Sequence, residues 1–256
     1  MYVWNSNLKL MKKITIIAFL SATVWINPSC DVLGDVAGAV LTDNGSGTRS
    51  LTNQEVVSGL KEALTIGVRN AVDLTSVTDG FLGNSAIALP FPPSALQMRE
   101  RAIQWGLEGQ VNRIVETLNR AAEDASKEAA PIFVNAIRNM SIQDGFQILN
   151  GGNGAATTFL RNATTPELIT AFSPKVQTSI ERVRLTEHWE PVMTRYNQAM
   201  LITGGQRVET DLNAYVTERA IDGVFVMVER EENKIRQDPA ARVTDLLSRV
   251  FGSVNG

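Results

Sequence analysis

An all-α fold in a single domain is what this sequence predicts, and three observations carry the prediction. From residue 51 onward, apolar residues recur with a period near 3.6. Helix-start and helix-stop residues stand at the ends of those stripes. No stretch alternates apolar and polar residues between hairpin turns, as a half-buried strand does. About nine or ten helices are expected over residues 51–254, a length that supports one domain with a real core.

The chain opens on a different logic. Lys12-Lys13 precede an apolar run from Ile14 to Ile26, and Ser29-Cys30 follow it. That run is too short to cross a hydrocarbon core, which takes about 20 residues. It has the layout of a cleavable export signal over residues 1–29, with Met11 as the expected true start. Cys30 is the only cysteine, and its place directly after the signal marks it as the expected lipidation site. Asn27-Pro28 stand where a strict lipoprotein signal carries Leu and a small residue. Residues 30–50 read as a tether, with Asp43-Asn44-Gly45-Ser46-Gly47 as loop-forming composition. The expected location is therefore the bacterial cell envelope, lipid-anchored on the outer or inner membrane and facing the periplasm. Removing residues 1–29 takes away Lys9, Lys12 and Lys13 and no acid, leaving 21 of the 24 basic residues against all 27 acids. That balance excludes nucleic acid as a partner and makes the acyl chains, rather than side-chain charge, the membrane grip.

Helices follow in order. Thr52-x-x-Glu55 is a capping box, and Val56, Leu60, Ala63, Leu64, Val68, Ala71 and Val72 continue it as one stripe. A second strong helix puts Val111, Ile114, Leu118, Ala121, Ala122 and Ala125 on one face. Arg113, Glu116, Arg120, Glu123, Asp124 and Lys127 lie opposite, as a solvated face spaced for i,i+3 and i,i+4 pairs. Pro131 suits the first turn of the next helix. Ser141 caps one that stops at Gly151-Gly152. Thr165-Pro166-Glu167 is expected to start another, and Pro174 to break or kink it. Leu185 to Met200 and Leu212 to about Ile235 are two more, and Asp238-Pro239 caps a last one through Phe251. Trp105 and Trp189 are expected core anchors.

Chemistry is sparse. His188 is the only histidine, so a zinc or copper site lacks ligands, and no metal or cofactor is expected. His188 also has no nucleophile pattern around it, and the glycine clusters lack the lysine and preceding strand of a phosphate loop. Two features stand out. From Ala220 to Val228 the sequence is apolar all round except Asp222. A helix of that kind is central, so its acid should be buried and need a partner. Arg120, Arg161 and Arg242 are the candidates, whether the pair is structural or lines a polar pocket. The second feature is the irregular stretch Thr78 to Pro93, with Asp79, Gly80, Phe81 and Asn84, a long loop where function can sit.

Ser58-Gly59-Leu60-Lys61-Glu62-Ala63-Leu64 and Asp79-Gly80-Phe81, then Asn119-Arg120-Ala121-Ala122-Glu123, Pro131-Ile132-Phe133 and Ile148-Leu149-Asn150-Gly151, then Tyr215-Val216-Thr217, Asp222-Gly223-Val224-Phe225 and Pro239 to Leu247, form a set. Together they resemble the bacterial family catalogued as domain of unknown function 4197, over about 51–252. The chain departs from that pattern at Ser85 and in the loop Ile202 to Val208. The resemblance implies an exported, often lipid-anchored helical protein and brings no assigned activity, cofactor or catalytic residue. The expected function is a membrane-anchored, non-enzymatic binding module for an envelope protein or for a lipid or other apolar small molecule. The alternative is an envelope hydrolase using carboxylates and arginines near Asp222, Asp79 and Arg120.

Overall fold

In the computed structural model, residues 51–182, 184–238 and 248–250 are described. Cys30, the signal, the tether, Arg242 and most of the expected last helix lie outside them. The described residues form eight α-helices, one 3-10 turn and no strand. They are α1 (Asn53–Thr75), α2 (Leu96–Gln104), α3 (Glu108–Ser126), α4 (Ala129–Asn139), α5 (Ile142–Asn150), α6 (Ala155–Arg182), α7 (Leu185–Thr203) and α8 (Leu212–Gln237). The 3-10 turn, Pro93–Ala95, leads into α2.

α8 runs through the middle, packed against α6, α1 and α3. Its sequence explains the position: Val216, Ala220, Ile221, Val224, Phe225, Met227 and Val228 are all buried, leaving little of it to face water. α1 starts at the expected capping box, with Glu55 N–H donating to Thr52 Oγ1 and Thr52 N–H donating to Glu55 Oε2. Ser141 and Asp144 repeat that device at α5. α4 covers α1 and α6, while α7 and α2 close the side of the domain over α3. Phe91 stacks on buried Trp189, with ring centroids 5.5 Å apart.

Four expectations need correction. Thr165-Pro166-Glu167 begins no helix and Pro174 ends none, because both prolines lie inside the continuous α6. Leu160, Thr164, Leu168, Phe172, Val176 and Ile180 form its buried stripe, whereas Pro166 and Pro174 sit on the exposed face. The carbonyls that the prolines leave without an N–H partner belong to Asn162 and Thr170, both exposed, where water can bond them. The merging removes one helix and the unforeseen α2 adds one, so with the expected last helix outside the described residues apart from 248–250, eight helices stand among them where nine or ten were expected over the whole domain. Trp105 is only half-buried and carries Arg195 over its ring at 5.2 Å. The stripe from Arg113 to Lys127 is not solvated throughout, since Glu123 is buried and Asp124 is partly so.

Candidate functional site

The loop between α1 and the 3-10 turn is built to hold itself in place. Asp79 adopts a left-handed φ of 66°. A Cβ on Gly80 would lie 2.5 Å from the Leu74 carbonyl oxygen, so glycine alone fits there. Phe81 is fully buried against α8 at Gly223, where a Cβ would come within 2.4 Å of its ring. The Phe81 and Leu82 N–H groups donate to Glu123 Oε1 at 3.1 and 3.3 Å. Leu89 is clasped in both directions by the buried Asn119 side chain, at 2.8 and 3.0 Å. Asn84 turns inward, accepting the Ala86 N–H and donating to Met227 Sδ. Phe81 therefore plugs the domain, held there by a loop in which Gly80 and Asn84 are half-buried and Asp79 is exposed.

Arg120, a candidate partner for Asp222, belongs to this plug. It donates to Glu123 Oε2 at 2.9 Å and to Asp79 Oδ1 at 2.8 Å. The bond to Glu123 is the main influence holding its guanidinium above the ordinary value, with Asp79 adding to it and burial opposing.

A second buried carboxylate, absent from the sequence-derived candidates, does the same work elsewhere. Glu232 on α8 accepts the Ala156 and Thr157 N–H groups at 3.0 and 2.9 Å and the Thr157 hydroxyl at 2.8 Å. These are first-turn donors of α6, which have no partners within the helix. Arg236 bonds Glu232 and donates to the Ile148 carbonyl near the end of α5 at 2.8 Å. One Glu–Arg pair thus joins the end of α5 to the start of α6.

Asp222 behaves differently. It accepts from Arg161 Nη1 at 2.9 Å, so one of the three proposed arginines is its partner. Burial does not follow, because each side chain is 43% exposed. The apolar character of α8 is satisfied by its other faces, and Asp222 emerges at the open edge of the α6–α8 seam. The Arg161 guanidinium lies 4.3 Å over the Phe225 ring.

The pair sits in a groove of about 500 Å³ between α6 and α8. On α6 the lining comes from Arg161, Thr165, Ile169 and Ser173, which four-residue spacing puts on one face. Ser173 and Asn213 bond across the far end, with Asn213 Nδ2 donating to the Ser173 carbonyl at 2.9 Å. Ile169 is exposed within it. The groove thus offers an apolar contact, hydrogen-bonding side chains and one charge pair along a single line. His188 lies on α7 away from this lining, half-buried, and no cluster of three metal-ligating side chains occurs among the described residues.

A family model described as Protein of unknown function (DUF4197) matches residues 50–252. The chain belongs to this family. The matched span takes in the plug, both Glu–Arg pairs and the groove, so all of these lie within the family's domain. No curated protein and no solved structure matches the chain.

Proposed function

We infer that the protein is a binding module of the bacterial cell envelope, held at the bilayer through acylated Cys30, which presents the α6–α8 groove to a partner protein. The observation that carries this reading is the groove itself. It is open, and it sets exposed Ile169 beside a half-exposed Arg161–Asp222 pair. An apolar contact flanked by polar and charged groups is how protein interfaces are composed. A carrier for an apolar ligand needs enclosed apolar walls, and this groove has a charge pair and an open side.

The hydrolase reading draws less support. An acid in proton transfer must be free to exchange its proton with a substrate. Asp222 is engaged by Arg161, while Glu123 receives two backbone N–H groups and Arg120. The test is a photo-crosslinker at Ile169 in the full chain, in cells, with mass analysis of the Cys30 peptide. The reading expects acylated Cys30 and one protein adduct that Arg161→Glu abolishes. A stoichiometric lipid co-purifying with the chain, and no protein adduct, would overturn the groove assignment in favour of a carrier.

A further inference from the structure

The turn between α7 and α8 carries the most exposed large apolar side chains of the described residues. Leu201 is 68% and Ile202 87% exposed, both in the last turn of α7. The body of that helix is seated by Leu185, Trp189, Val192 and Tyr196, all buried. Beyond Met200 the chain leaves the core. Gly204 caps the helix with a left-handed φ of 73°, and the Gly205 N–H donates back to the Met200 carbonyl at 3.1 Å. The turn is closed at its base by Asn197, whose side chain bonds Val208 in both directions at 2.8 and 3.1 Å. Residues 201–207 are thus a clasped projection with two aliphatic side chains at its tip.

Charge selects what such a tip meets. Within the loop that the Asn197–Val208 clasp closes, Arg207 is the one charged side chain, and exposed Glu209 follows directly outside the clasp. Arg207 is exposed and makes no ion pair among the described residues. Aliphatic side chains at a tip with one cation behind them complement a bilayer surface, where acyl chains lie beneath phosphate groups.

We propose that the α7–α8 turn is a direct membrane contact, with Leu201 and Ile202 entering the acyl layer and Arg207 meeting lipid phosphate. This rests on the envelope reading above and deepens it. About 20 residues separate Cys30 from the domain, and a fully extended chain of that length would span at most roughly 66 Å, more than the roughly 43 Å width of a 200-residue domain. Tether length therefore lets any face reach the bilayer, and the tip chooses the face.

The experiment is site-directed spin labelling of the full Ile202→Cys chain in phosphatidylethanolamine–phosphatidylglycerol vesicles. Collision rates with oxygen and with a water-soluble nickel chelate are read with and without lipid, and a label at exposed Val77 serves as reference. The expected result is several-fold protection from nickel with gain of oxygen contact at 202 on adding vesicles, and no change at 77. Equal nickel access with and without vesicles overturns the proposal. So does shielding from both reagents, which marks a protein contact at the tip. The number of labels taken up reads the anchor separately: one if the Cys30 thiol is acylated, two if it is free, and Cys30→Ser then carries the same measurement. A lipid-immersed tip on an unacylated chain keeps the membrane contact and sinks the anchor. An aqueous tip on an acylated chain does the reverse.

Discussion

Glu123 and Glu232 on one side, and Asp222 on the other, are carboxylates that each meet an arginine within 2.9 Å. The glutamates are buried and spend their remaining oxygen sites on backbone N–H groups that nothing else can satisfy. Asp222 is half in water and bonds no backbone donor that would otherwise be stranded. The same pair of charges is thus a structural clamp in one setting and an available surface feature in the other. What separates them is what the removal of one partner leaves behind.

The largest effect is therefore expected at Glu232. Glu232→Ala strands two α6 N–H groups and the Thr157 hydroxyl and takes a buried carboxylate away from Arg236, and should cost about 3–5 kcal/mol. Chemical denaturation measures it; a loss below about 1 kcal/mol would remove the distinction drawn here. Next comes the plug. Gly223→Ala drives a methyl into the Phe81 ring, an overpacking expected to cost about 1–3 kcal/mol. Hydrogen exchange should quicken at the Phe81 and Leu82 amides before it does in α1, since these bonds depend on the seating of Phe81.

A pH effect is next in size. Burial pushes the Asp124 carboxyl up, but hydrogen bonds from Ser179 and Lys127 and the charges of Arg182 and Lys127 outweigh it and hold the group low. The folded state then binds fewer protons than the unfolded one, so this stabilisation is complete above the ordinary value of 3.8 and is lost as pH falls through the lower folded value. Urea midpoints taken from about pH 6 down to about pH 2 should fall less for Asp124→Asn than for the native chain. The smallest effect on stability belongs to the exposed pair. Asp222→Asn should change unfolding free energy by less than about 1 kcal/mol while weakening crosslinking at Ile169. A large loss of stability with unaltered crosslinking would place Asp222 with the clamps.

These differences explain what was legible in advance. The α1 cap and the α8 core face follow from spacing along single helices, whereas Arg161, one of three candidate partners, lies on α6 and is picked out only by the fold. The burial of Asp222 was misjudged because an apolar helix still has an open edge wherever two neighbours fail to meet, and its own sequence does not say where. α6 was divided because proline rules assume a carbonyl left dry, whereas Asn162 and Thr170 face water. Glu232 was missed although it lies four residues before Arg236, because the α6 start it serves is remote in the chain. Glu123 had a local sign, standing four residues after buried Asn119 beside the apolar stripe of α3.

Sequence by itself determined the all-helical class, most helix ends, the family and the apolar character of α8. All of these rest on interactions within a few residues or on composition, which a linear reading can reach. Only the tertiary structure decided that the Asp79–Asn84 loop seats Phe81 as a plug, that Glu232 starts α6, and that the Arg161–Asp222 pair opens to solvent. Each depends on desolvation by residues distant in the chain, and desolvation is set by which surfaces meet in the folded domain.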